Sequence, residues 1–149
     1  MVMMLDSPAG VTPPAGPYSH VARVDTGDAT LLFLAGQIAV DDDGVLVGEE
    51  DMAAQARHIF RVVLGILEAH GAGFADVAHI RTFVTDLGML PAYGTVRREL
   101  FPGTPPASTT VEVSRLFRPG ALLEVEVTAA VRSRQNAQIT AAVRRRQNA

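Results

Sequence analysis

The chain has 149 residues, 48% of them hydrophobic, which suits one domain with an ordinary core. It contains neither cysteine nor lysine, which excludes disulfides, thiolate nucleophiles, cysteine-held metals and Schiff-base lysines. Residues 1–131 carry all sixteen acids against eight arginines, a net charge of −8, so phosphate-backbone binding is disfavoured everywhere except in the acid-free, arginine-bearing segment 132–149.

In chain order, residues 1–15 are rich in Pro, Gly and Ser and read as an irregular lead-in. No basic or long apolar region marks a signal peptide, and no apolar run is long enough to cross a membrane, so a cytoplasmic location is expected. The segments HVARVD and TLLFLAGQIAV read as two strands joined by the turn residues of TGDA. The following DDDGVLVG is a loop that lacks the spacing of a calcium site.

From Glu49 to His70 the apolar spacing changes to three- and four-residue steps through Met52, Ala56, Ile59, Val63 and Leu67, which predicts an amphipathic helix stopped by Gly71 or Gly73. DVAHIRTFVTD is a strand, and LPAYGTVRRELF is a second helix with Pro91 in its first turn. STTVEVSRL and LLEVEVTAAV are the last two strands. The order β-β-α-β-α-β-β predicts an α+β fold, a mixed sheet with both helices on one face, in a single domain over residues 16–131.

Alternation in the last strand sends Leu123, Val125, Val127 and Ala129 one way and Glu124, Glu126 and Thr128 the other. The preceding strand separates Val111 and Val113 from Ser108, Thr110, Glu112 and Ser114. The second face is therefore expected to be polar, with small side chains and a few carboxylates, and to meet copies of itself around clefts. Beyond it, TAAVRSRQNA returns as TAAVRRRQNA, so residues 132–149 read as a basic, flexible extension.

Few residues are left to carry chemistry. The four histidines show no metal-ligand spacing and default to surface or hydrogen-bonded positions. No nucleophile elbow or glycine-rich phosphate loop is present. Glu124, on the second face of a late strand, could position water or move a proton. Tyr18, straight after Gly16-Pro17, could stack on a flat ligand.

The segments GPYSHVARV, LFLAGQIAVDDDG, AAQARHIFRVVLGILEAHGAGFADVAHIRTFVTDL and PPASTTVEVSRLFRPGALLEVEVTAAV together resemble the Rid family, the reactive intermediate deaminases of YjgF type, from about Gly16 to Val131. The resemblance implies a chorismate-mutase-like fold, a homotrimer with a small-molecule cleft at each interface, and hydrolysis of reactive enamines and imines to a 2-oxo acid and ammonia without cofactor or metal. Glu124 matches the glutamate that positions the hydrolytic water, and Tyr18 and Gly36 match cleft positions. Thr110 falls where backbone atoms line the cleft.

Three positions depart from the family pattern. Deaminating members open the late strand with Pro-Ala-Arg, whose arginine grips the substrate carboxylate; this chain has Pro106-Ala107-Ser108. Ala35 replaces a common serine, and Gly94 stands near a common asparagine. The expectation is an enzyme on imines or enamines that lack the usual carboxylate. The alternatives are a 2-imino acid deaminase with a substitute cation, for which Arg81 is the candidate, and a non-catalytic ligand-binding trimer.

Overall fold

The computed structural model describes residues 1–132 and builds them into one six-stranded sheet with two helices. The strands are β1 Val2–Asp6, β2 Val21–Asp25, β3 Ala29–Gln37, β4 Val77–Val84, β5 Ala107–Glu112 and β6 Leu123–Arg132. Helix α1 spans Met52–Ala69 and α2 spans Leu90–Leu100. The sheet order is β1-β2-β3-β6-β4-β5; only β4 and β5 run parallel.

Helix α1 begins where Asp51 caps it, its carboxylate accepting from Ala54 N at 2.9 Å, and Gly71 adopts the left-handed φ of +73° just past its end. Its apolar stripe of Ile59, Phe60, Val63, Ile66 and Leu67 is buried against the sheet. Helix α2 shares that core. Tyr93 stacks on Phe60 with ring centroids 6.3 Å apart, and its hydroxyl meets Thr82 Oγ1 of β4 at 2.6 Å. Both helices thus cover the same sheet face, as expected.

The lead-in differs from expectation: Val2–Asp6 form an edge strand antiparallel to β2. Its run of apolar residues has no alternation to announce a strand, and all five residues are exposed. Backbone pairing rather than side-chain burial places it. The repeated tail beyond Arg132 lies outside the described residues.

The two faces of the sheet also differ from expectation. Opposite the helices, Ala22, Val24, Leu31 and Phe33 make the β2–β3 half apolar, with Phe33 45% exposed. Only the β6–β4 half is polar, carrying Thr128, Glu126, Glu124, His79 and Arg81. Strand β5 is the second correction. Its register pairs Ile80 with Ser108, Thr82 with Thr110 and Val84 with Glu112, and those β4 residues are buried under the helices. Ser108, Thr110 and Glu112 therefore lie on the helix side, at an edge that α2 does not fully cover, while Val111 is on the open face. Alternation defines two faces of a strand but not which one turns inward.

Candidate functional site

Glu124 occupies the second position of β6, on the open face and level with Phe83 of β4. Its carboxylate rests against Gly36. The β3–β6 register shifts between Leu34 and Gln37, which turns Ala35 and Gly36 out of regular pairing. A Cβ built on Gly36 would fall on Glu124 Oε1 and stand 2.9 Å from Cδ. Gly36 is needed here for space, not for a left-handed backbone.

The Glu124 carboxylate has no hydrogen-bond or ion-pair partner among the described residues. Burial first, and the neighbouring Glu126 second, push its pKa above the ordinary carboxylate value. Such a group keeps its proton to higher pH than a solvated glutamate does. Ala35 contributes backbone: its N–H donates to His20 O at 2.8 Å, and its carbonyl accepts from Gln37 Nε2 at 3.0 Å. Tyr18 lies just before β2, at the same end of the sheet as Gly36 and Glu124. It is 44% exposed, its hydroxyl accepts from Ala15 N at 3.2 Å, and its ring packs on Gly16.

Arg81 shares the open face with Glu124, but its Nη1 donates to Glu126 at 2.9 Å. Its charge is committed to that pair. The described residues contain no cluster of three or more His, Asp and Glu side chains suited to a metal ion.

The remaining predicted residues gather elsewhere. Ser108 and Thr110 stand on the helix side of β5, and Gly94 sits one turn before Arg97 on α2. Ser108 is three residues along and two strands across from Glu124, about 10 Å in each direction, on the opposite face of the sheet. Among the described residues no hydrogen bond or ion pair links the two. The predicted site is thus split into a carboxylate half and an edge half.

The edge half holds a residue that the sequence reading missed. Arg97 Nη1 donates to Ser108 Oγ and to Tyr93 Oη, each at 3.3 Å. A guanidinium therefore stands beside the serine that was expected to leave the position uncharged. Tyr93 and Arg97 lie one turn apart on α2 and Phe101 caps its end, a spacing that lets the three meet but does not by itself mark the arginine. His20 is a second correction: it is 1% exposed, with both ring nitrogens buried and unpartnered among the described residues.

Among the described residues, one cleft has a volume of about 650 Å³ and another of about 400 Å³. The first is lined by Arg23, Asp25, Glu68 and His70 among others, the second by Asp41, Asp42, His58 and Arg61 among others; neither includes Glu124 or Ser108.

Comparison with known proteins adds four results. Residues 10–131 match the family model described as Endoribonuclease L-PSP. Protein DfrA of Myxococcus xanthus is 38% identical over 114 residues, 76% of this chain and 85% of that protein. The 3-aminoacrylate deaminase RutC of Acinetobacter baylyi is 32% identical over 124 residues, 83% of this chain and 94% of that protein. Among solved structures, a Rid-family protein from Yersinia pestis superposes with a TM-score of 0.77 at 30% identity, covering 87% of this chain and all of that one.

Proposed function

The chain belongs to the Endoribonuclease L-PSP (YjgF/Rid) family, with its chorismate-mutase-like α+β fold, and from that premise we propose that it hydrolyses small enamines or imines at a cleft formed between copies. The observation that carries this reading is Glu124: a carboxylate with a raised pKa and no partner among the described residues, held against Gly36 at one end of the open face. The similarity to a 3-aminoacrylate deaminase supports the reaction class.

The chemistry needs one water and proton transfers. Protonation of an enamine carbon gives the iminium ion. Water adds to its carbon and gives up one proton, a proton is returned to the nitrogen, and the C–N bond breaks to release ammonia as the remaining hydroxyl proton is lost to solvent, leaving a carbonyl. Glu124 is suited to take the proton from water and return it to nitrogen, because its raised pKa brings its two protonation states closer in energy at working pH. Tyr18 and the backbone at Ala35–Gly36 would border the bound molecule.

The split of the site is the reason for a second copy. Glu124 and the Ser108–Thr110 edge lie on opposite faces, so a ligand touching both must lie between two chains. The exposed apolar half of the open face, with Phe33 at its centre, favours such packing. A homotrimer is the assembly we propose.

The test is hydrolysis of imines generated in place by an amine or amino acid oxidase, followed as loss of the imine. The expected result is turnover by the native chain and a loss in kcat of about 100-fold or more in Glu124→Gln. Native turnover that Glu124→Gln leaves intact removes Glu124 from the mechanism. A ligand that raises Tm yet is returned unchanged would identify a binding protein instead.

A further inference from the structure

We infer that strand β1 is fastened to helix α1 by a proton-dependent clasp between Asp6 and His70, and that the edge of the sheet opens when the proton leaves. The two ring nitrogens of His70 lead there. His70 caps the C-terminus of α1. Its backbone N–H donates to Leu67 O at 2.9 Å, which leaves Ile66 O without its usual helical donor, and Nδ1 of the ring lies 2.8 Å from that oxygen. On the other side of the ring, Nε2 lies 3.2 Å from Asp6 Oδ2. A carbonyl and a carboxylate are both acceptors. A neutral imidazole carries one N–H and serves only one of them; its other nitrogen then turns a lone pair on an oxygen. Only the imidazolium donates to both.

The surroundings suit a charged ring. The C-terminus of a helix favours a cation. The His70 side chain is 6% exposed, so water does not take over its bonds, while that of Asp6 is 50% exposed and gives solvent a route to the pair. The other charged groups nearby leave the decision to Asp6. Glu68 of α1, Arg23 and Asp25 of β2 and Arg132 of β6 line the cleft beside His70, and their charges cancel. Arg23 and Asp25 are moreover joined to each other at 3.1 Å. His20, just before β2, feels the same Asp6 carboxylate, but burial pushes its pKa below the ordinary histidine value, so it titrates at lower pH.

Without the clasp, β1 is weakly held. It is an edge strand of five exposed residues, tied otherwise by its backbone ladder to β2 and, just past its end, by the bond from His20 N to Ser7 Oγ at 3.1 Å. Opening it is a local event that leaves the core intact. It also withdraws Met3 and Leu5, which stand beside Val24 and Ala22, from the open face proposed to meet a second copy. The clasp is independent of the imine chemistry, since Asp6 and His70 meet on the helix side of the sheet.

The test is amide hydrogen exchange of the full chain at pH about 6 and about 8.5, on either side of the range where imidazole titrates. Rates are expressed as protection factors, so that the intrinsic pH dependence of exchange cancels. Protection of the β1 amides is expected to fall about 3- to 10-fold at the higher pH, while β3 and β6 keep theirs. His70→Phe keeps a flat ring but has no nitrogen to protonate, and should show the lower value at both pH values. Asp6→Asn should lose the pH dependence, because its amide donates to Nε2 of the neutral ring and the contact no longer needs a charge. Asp6 is half-exposed, so this second variant leaves the core untouched and keeps the test open where the buried phenyl disturbs α1. Equal protection of native β1 at the two pH values overturns the clasp. So does a fall that His70→Phe reproduces, which would assign the proton to another group such as His20.

Discussion

The two faces of one strand show how this molecule divides its work. In β6, Leu123, Val125, Val127 and Ala129 are at most 2% exposed and are packed under the helices. Their neighbours Glu124, Glu126 and Thr128 point the other way and remain half-exposed. The first set is satisfied within one chain. The second set is only partly so: Glu126 pairs with Arg81, but Glu124 has no partner among the described residues, and across β3 and β2 the same face exposes Phe33, Leu31, Val24 and Ala22. A face that buries its groups inside the chain makes the fold. A face that leaves both a carboxylate and an apolar patch without partners is suited to another copy and a ligand.

Substitutions should separate the two faces cleanly. Leu123→Ala on the covered face should cost about 2–5 kcal/mol of stability by urea denaturation, and activity should fall only as the folded fraction falls. Phe33→Arg on the open face should leave the fold intact by circular dichroism but dissociate the assembly in sedimentation; an unchanged sedimentation coefficient would place the interface elsewhere.

Gly36→Ala tests the contact between the bulge and the carboxylate. The added methyl collides with the mobile end of Glu124 rather than with backbone, so stability should change by less than about 1 kcal/mol while kcat drops by at least about tenfold.

The smallest effects are those of pH. Burial lowers the pKa of His20 from its ordinary 6.5, with Asp6 opposing. The unfolded chain therefore takes up the proton first. Stability should be full above about pH 6.5 and fall as pH drops through that value, and His20→Leu should flatten the decline. Glu124 has the opposite sign. Its raised pKa means that the folded chain holds the proton longer, so its ionisation lowers stability as pH rises above about 4.5. Glu124→Gln should give a small gain in Tm at about pH 8 and none at about pH 4. A loss at about pH 8 would show that the carboxylate is structurally supported after all.

Much of the fold was legible because it is written in apolar spacing. The stripe from Met52 to Leu67 announced α1, and the alternation from Leu123 to Ala129 announced β6 and its buried face. Strand β1 was not legible, because its stability comes from hydrogen bonds to β2 and its side chains are all exposed. The orientation of β5 was hidden for another reason. Ser108, Thr110 and Glu112 alternate cleanly, but only the register with Ile80, Thr82 and Val84 shows that they lie on the helix side. Glu124 and Gly36 could be matched one by one from the chain, yet their contact depends on the bulge at Ala35–Gly36, which no local pattern marks. Arg97 was overlooked because an arginine on a helix is ordinarily a solvated residue; its place between Tyr93 and Phe101 appears only when α2 is packed.

The central claim is that Glu124 and the Ser108 edge act from different chains. The direct test is to make two inactive variants, Glu124→Gln and Ser108→Trp, the second filling the edge with an indole, and to refold them together in equal amounts. If each site draws its two halves from neighbouring copies, about a quarter of the sites regain both native halves and activity returns to that level. If the mixture stays as inactive as its components, both halves belong to one chain, and the account given for the open face is wrong.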